Sequence, residues 1–422
     1  MFYFGFGTLG RVLPERARPI ARRVLSAIRA IFDRFGITTV RERGYLQRLV
    51  IHAYPHAGPP IRTSFAPERQ PSDVDIEIAT RVLNAWHKAS QRNSAVPIHS
   101  VDDVWDGLAR HYHGELLTIL QKKDPSGLAE YLCNMSRHGA TVGIIQGATQ
   151  FRKMSTSRHY RNWIGLVILD RLVALAEMVG VLRVENPEQG RWGENLYEDI
   201  DELIGKLQAK LGIEITLPEI EGCLFGIDSK SGRLHFHDLI ALYAACRIRA
   251  ITNQRKTASI CEIGGGVGRV TYYCAKFGIG NYVVYDLPLV NVLQGYFLIR
   301  AMPEARVVLY GEEMPAEEHA IRILPGWVLA DSPPKAFDLV LNQDSFPEID
   351  RSTVRQYLRE ISRTTRSHFL SINHEAASPT AASGFRHLVV ADVVEEVGGF
   401  ERLYRFPCWV RTGYVEELYR VL

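Results

Sequence analysis

An apolar strand that runs into a glycine-rich turn and then a helix leaves a chain few folds to choose from. Ile260-Cys261-Glu262-Ile263-Gly264-Gly265-Gly266-Val267-Gly268-Arg269 is such a run, and a helical pattern follows over Val270–Phe277. Glycines let a ligand approach the backbone, and the first N–H groups of the helix have no intrahelical partner. A turn that merely packs helix on sheet would need glycine too, so the flanking residues decide.

A dinucleotide turn is written G-x-G-x-x-G. Counted from Gly264 the third glycine slot is Arg269; counted from Gly266 it is Thr271. Both readings fail, which speaks against a nicotinamide-dependent oxidoreductase. The pattern present is E-x-G-x-G-x-G, through Glu262, Gly264, Gly266 and Gly268. An acid two residues before the first glycine suits a cationic amine, such as the α-amino group of a methionine moiety, and would repel a pyrophosphate. Asp286 lies 22 residues after Gly264, at the end of the next strand-like run. An acid at that strand tip is placed to accept from ribose hydroxyls.

The strand reading extends around the turn. ASICEI, NYVVYD, ARVVLY, FDLVLN and HFLSIN are nearly continuous apolar runs that alternate with helical patterns. Strands buried on both faces of a mostly parallel sheet look like this, so residues 251–422 are expected to form a doubly wound α/β domain. Two further strand-like stretches, FERLYRFPCWV and GYVEELYRVL, are joined at Arg411–Gly413 and can pair antiparallel at the sheet edge.

Residues 73–250 read as mainly helical, with patterns over Asp73–Ser90, Val101–Gln121, Gly127–Arg137, Tyr160–Val179, Asp199–Leu211 and Asp238–Ala250. Residues 54–72 are Pro-rich and cannot continue a helix. Gly222–Arg233 is irregular, with strand character in places. Residues 1–53 stand apart. Their first 50 hold ten Arg and three acids, a net +7 in a chain whose total is +3. Ile20, Val24, Leu25, Ile28, Ile31, Phe32 and Phe35 form an apolar stripe opposite the arginines. The segment from 19 to 35 is expected either to pack on the protein or to contact a membrane surface or a partner.

The balanced charge elsewhere excludes a bulk nucleic-acid binder. Six scattered cysteines contain no C-x-x-C pair, so no zinc finger is expected, and a chain this long does not need a disulfide framework. Asp344, Glu348 and Glu375 could furnish oxygen ligands to a metal, but no spacing here is diagnostic of one and no metal site is assigned. No uncharged apolar run approaches the ~18 residues of a membrane span. The first ten residues lack the basic start of a secretory signal. Reduced thiols and a cytoplasmic location are the expectation.

Strand tips supply the remaining candidates. Phe337–Leu341 leads into Asn342-Gln343-Asp344-Ser345-Phe346-Pro347-Glu348, and His368–Ile372 into Asn373-His374-Glu375. Ligands of open α/β sheets sit outside the carboxyl ends of strands. His374 has an ordinary pKa suited to taking a proton from a hydroxyl, unless a loop carbonyl satisfies it. Asp344 and Glu348 are the alternatives, as base or as hydroxyl partners. Trp327 either covers a ligand's aromatic face or packs. His235 and His237 share a face ahead of a helix and either reach the cleft or form a polar surface.

EIGGGVGRV, YDLPLVNVLQGYFL, FDLVLNQDSFPEI and FLSINHE together resemble the sugar O-methyltransferase family of bacterial natural-product and polysaccharide gene clusters. The resemblance covers roughly residues 255–376, and more loosely Leu116–Met154. It implies a class I methyltransferase fold, Rossmann-like with a terminal antiparallel hairpin, and S-adenosylmethionine as cofactor. It implies methyl transfer to a hydroxyl of a sugar or sugar-containing small molecule. A non-sugar natural-product hydroxyl or carboxylate is the alternative acceptor, and a non-catalytic partner protein the alternative role. Residues expected on the cofactor are Glu262, Gly264, Gly266, Gly268, Asp286, Leu287, Trp327 and Asn342. By analogy with other small-molecule methyltransferases, the helical region would wall the acceptor pocket and make a homodimer contact.

Overall fold

The structure is a computed structural model that describes residues 61–92, 104–313 (apart from 187, 191, 192 and 216), 319–376 and 387–422. The basic segment within residues 1–53, with its 19–35 stripe, lies outside the described residues.

The first described strand, β1 (Thr63–Phe65), lies within the Pro-rich stretch 54–72. Helices α1 (Asp73–Arg92), α2 (Val104–Tyr112), α3 (Gly114–Lys122), α4 (Pro125–Cys133), α5 (Gly147–Thr156), α6 (Arg158–Met178) and α7 (Ile200–Leu211) follow. The single helix expected over Val101–Gln121 is two, broken at the buried His113 just before Gly114. α5 had no apolar stripe to announce it. α4 begins earlier than its pattern suggested, because the Asp124 side chain accepts from the Gly127 N–H at 2.9 Å and Pro125 suits the first turn. α6 is buried on nearly every side from Ile164 to Glu177, which makes it the central helix of this region.

β2 (Phe225–Ser229) and β3 (Gly232–Leu234) form a small antiparallel sheet with β1 inside the stretch read as irregular. α8 (Phe236–Ile251) then leads to the large sheet. Its elements are β4 (Ile260–Ile263), α9 (Arg269–Lys276), β5 (Tyr282–Asp286), α10 (Pro288–Ala301), β6 (Val307–Leu309), β7 (Ile321–Pro325), β8 (Phe337–Gln343), α11 (Arg351–Thr364), β9 (Thr365–His374), α12 (Val390–Val397), β10 (Phe400–Pro407) and β11 (Tyr414–Val421).

The eight strands lie in the order β10-β11-β9-β8-β4-β5-β7-β6. From β9 to β6 every neighbouring pair is parallel; β11 is antiparallel to both β9 and β10. A doubly wound parallel sheet closed by an antiparallel hairpin is the class I methyltransferase, Rossmann-like fold. The five expected strands fall at β4, β5, β6, β8 and β9. β7 was not anticipated, because Arg322 and Pro325 interrupt its apolar character.

Both faces of the sheet are covered, as the continuous apolar runs require. Ile260, Tyr282 and Val284 join the cluster that includes α6 and α8. Cys261, Ile263, Val283 and Tyr285 join a second cluster with α11 and α12. The helical region is welded to the first face. Asp75 of α1 accepts from the Tyr296 hydroxyl (2.8 Å) and Arg300 Nε (3.2 Å) of α10. Burial alone would raise its pKa, but hydrogen bonds from Ser72 and Tyr296 and the charge of Arg69 outweigh it and bring the value to about 2.

Among the described residues no helix is long and apolar enough to cross a membrane. All six cysteines are free thiols.

Candidate functional site

The carboxyl ends of β4, β5 and β8 open into one cleft enclosing about 1040 Å³, adjoining solvent included. Glu262, Gly264, Gly266, Asp286, Asp344 and Glu348, all singled out from sequence, line it together, as does Leu287.

The turn after β4 explains its glycines differently at different positions. Gly266 has φ +58, and a Cβ built there would meet nothing closer than Ile144 at 3.6 Å. The protein does not need that space for packing, so the backbone is bare toward the cleft. Gly264 has φ +76 and a Cβ would sit 2.2 Å from Ser345 Oγ, so it is required by packing as well as by conformation. Gly268 caps α9 against Leu298 and is not among the cleft-lining residues.

Glu262 is buried beneath the turn, where its Oε2 accepts from the Tyr282 hydroxyl (3.0 Å) and Thr271 Oγ1 (3.3 Å). Burial, with the nearby Asp286 charge adding to it, pushes its pKa up to about 7 despite those bonds. A cation beside it would favour the ionised form. Asp286 closes β5. Its Oδ1 accepts from the Leu287 N–H (2.8 Å) and its Oδ2 from Gln294 Nε2 (2.7 Å). Those two bonds fix the orientation of the carboxylate at the strand tip, where it lines the cleft.

Beyond β8 the chain turns at Asp344, a non-glycine residue with φ +67. Its carboxylate accepts from Arg411 Nη1 (2.5 Å) and from the Tyr414 hydroxyl (2.6 Å). Burial disfavours the Arg411 charge, but Asp344 outweighs it and raises the pKa. Asn342 is fully buried. Its Nδ2 donates to the Ile263 carbonyl (3.0 Å) and Ser345 Oγ (2.6 Å), and its Oδ1 accepts from Asn373 (3.0 Å). It clips three strand tips together and is not among the lining residues.

Three further candidates lie away from the cleft lining. His374, the last residue of β9, has Nδ1 accepting from the Ala376 N–H (3.2 Å) and its ring edge-on to His387 and Tyr414. Nδ1 is thereby engaged, and in the neutral ring the proton sits on Nε2. Burial lowers its pKa, the opposing effect of Asp344 notwithstanding. Trp327 packs edge-on to Tyr310, at 6.4 Å between ring centres. Glu375 pairs with Arg405 at 2.7 Å.

His237 does line the cleft, and His235 explains why. The buried His235 is the N-cap of α8, its Nδ1 accepting from the His237 N–H (3.3 Å) while Asp238 reaches back to the His235 N–H (2.9 Å). Burial, and after it the charges of His235, Arg411, Arg269 and Arg171, hold the His237 pKa well below its ordinary value.

Several lining residues escaped the sequence reading. Arg269, noted there only as the residue that breaks the dinucleotide pattern, reaches under the cleft to Asp238 and to Glu221 (2.5 Å). Trp105 and Ile144 arrive from the helical region and Arg411 from the terminal hairpin. Gln343 and Ser345 also line the cleft, as expected of the polar run at the carboxyl end of β8. Nothing local marks the others.

No family model matches the chain, and the search of curated proteins finds no match. Among solved structures, the chain is similar to the PH0226 protein of Pyrococcus horikoshii OT3, at 12% identity and TM-score 0.34, over 44% of this chain and 92% of that one. It is similar to Burkholderia thailandensis 1,6-didemethyltoxoflavin-N1-methyltransferase at 19% identity and TM-score 0.32, over 43% and 78%. It is also similar to the glycopeptide N-methyltransferase MtfA complexed with sinefungin, at 17% identity and TM-score 0.31, over 43% and 94%. At such identities and scores these likenesses carry no argument about chemistry.

Proposed function

We propose that this protein is an S-adenosylmethionine-dependent O-methyltransferase acting on a hydroxyl of a sugar-type small molecule. The observation that carries the reading is the bare backbone at Gly266, flanked in one cleft by the buried Glu262 and the oriented Asp286. The donor set fits the cofactor: Glu262 for its cationic amino group, Asp286 for its ribose hydroxyls, and the turn for close approach of its body. When bound there, S-adenosylmethionine supplies an electrophilic methyl group for transfer to an acceptor oxygen.

The chain's own residues then have to align the acceptor and take its proton. Glu348 is our assignment for the base. It lines the cleft, as does Asp344, which Arg411 and Tyr414 hold in place as a hydrogen-bond partner for the acceptor, whereas His374 is not among the lining residues. Residues 73–250 contribute Trp105, Ile144 and His237 to the cleft wall, which supports a role for the helical region in acceptor binding.

Calorimetry with S-adenosylmethionine, S-adenosylhomocysteine and NADH tests the reading. We expect binding of the first two and none of NADH. Binding of NADH alone would return the site to a nicotinamide cofactor; binding of none would favour a non-catalytic partner role.

A further inference from the structure

The cleft brings the carboxylates of Glu262, Asp286, Asp344 and Glu348 against only two guanidiniums, Arg269 and Arg411. Both guanidiniums already have acidic partners. Arg269 is held between Asp238 and Glu221, and Arg411 on Asp344. Among the described lining residues no other Lys or Arg occurs. An anionic acceptor seated here would meet Asp344 and Glu348 with no uncommitted Lys or Arg of the lining to offset them; detaching Arg269 would leave the buried Glu221 and Asp238 uncompensated, and detaching Arg411 would strip Asp344 of its counter-charge.

The polar atoms that lack partners point the same way. Gln343 Oε1 and His237 Nδ1 are both buried without a hydrogen-bond partner, and both residues line the cleft. An amide oxygen needs a donor, which an alcohol O–H provides and a phosphate or carboxylate does not. A neutral imidazole can serve a hydroxyl as donor or as acceptor.

Resting on the proposed methyltransferase reading, we infer that the part of the acceptor seated in this cleft is an uncharged polyol, received by Gln343 and His237 beside the Asp344–Arg411 pair, and not a sugar phosphate or a uronic acid. The phosphate of a carrier-linked sugar would have to lie outside the cleft.

The test is a titration of the protein, with and without S-adenosylhomocysteine, by three matched probes: methyl α-D-glucopyranoside, its 6-carboxylate (the methyl glucuronide) and glucose 6-phosphate. The neutral glycoside should bind at least tenfold tighter than either anion. Gln343→Met, which keeps the side-chain length and removes the acceptor, should weaken the glycoside several-fold and leave S-adenosylhomocysteine affinity unchanged. Equal or tighter binding of an anion overturns the inference. So does an unchanged glycoside affinity in Gln343→Met, or no glycoside binding at tens of millimolar. Failure of S-adenosylhomocysteine to bind counts instead against the cofactor reading, because glycoside binding is read separately without it.

Discussion

The Asp344 carboxylate and the Arg411 guanidinium meet at 2.5 Å across 67 residues of chain, tying the tip of a central parallel strand to the turn of the terminal hairpin. Asp344 adopts a left-handed backbone, which aspartate tolerates better than most residues. Arg411 also lies over the Tyr414 ring, 3.6 Å from its centre, while the Tyr414 hydroxyl donates to the same carboxylate. One corner of the cleft is therefore built by two distant segments that hold each other in place.

Arg411→Met keeps much of the side chain's packing but leaves Asp344 with Tyr414 alone. Hydrogen bonds to charged groups are worth about 1.5–3 kcal/mol, less where solvent reaches them. We expect about 1–2 kcal/mol lower stability by chemical denaturation, with S-adenosylmethionine affinity within threefold of wild type. A large loss of cofactor affinity would mean that the pair shapes the cofactor side of the cleft instead of the acceptor side.

Asp286→Ala removes the proposed acceptor of the ribose hydroxyls. At about 1.5 kcal/mol or more per bond, affinity for S-adenosylmethionine should fall by about 10- to 100-fold. Circular dichroism should remain native, since the residue closes a strand and is not in its core. Unchanged affinity in calorimetry would remove the ribose assignment.

The turn makes a paired prediction. Gly266→Ala adds a methyl group where only Ile144 is near, so its structural cost is the positive φ, about 1–2 kcal/mol. Cofactor binding should drop well beyond what that cost explains. Gly264→Ala drives a Cβ into Ser345 and should chiefly lower the melting temperature. Similar ratios of binding loss to stability loss in the two variants would mean that the turn only packs.

Glu262 sets a pH dependence. Its folded pKa, about 7, lies above its ordinary value of 4.5, so the folded state favours the protonated form. That contribution to stability is present below pH 4.5 and is lost as pH rises through 7. Glu262→Gln cannot ionise and can still accept from Tyr282 and Thr271. It should melt higher than wild type at pH 8, with the gap closing toward pH 5. Wild-type affinity for S-adenosylmethionine should instead rise from pH 6 to 8, because the ligand's ammonium pairs with the carboxylate. A flat affinity profile would place the ammonium elsewhere.

The base assignment separates three variants. Glu348→Gln should lower methyl transfer by about 10²–10⁴-fold with cofactor affinity unchanged. His374→Ala and Trp327→Phe should stay within about threefold of wild type. Radiolabelled methyl transfer to a neutral glycoside is the measurement. A His374→Ala enzyme with turnover reduced a hundredfold would restore the histidine as base.

Much of this was legible along the chain because its causes are local. A strand buried on both faces must be apolar throughout, so five strands of the sheet could be read from short runs, and the hairpin from its paired stretches. The glycine turn and the acids at positions 262 and 286 belong to one β-turn-α-β passage, whose geometry follows from its own backbone. Tertiary structure decided what depends on contacts between distant segments. His237 enters the cleft because the His235 N-cap fixes the start of α8, and His374, equally plausible as a residue type, ends a strand with its Nδ1 already engaged. Asn342 is a buried clip because two neighbouring strands bring Ile263 and Asn373 beside it. Arg269 and Arg411 became counterions only when folding brought them to acids 31 and 67 residues away. A sequence displays residue types and local periods; which polar groups satisfy one another, and which are left facing a ligand, is fixed only when the whole chain closes around them.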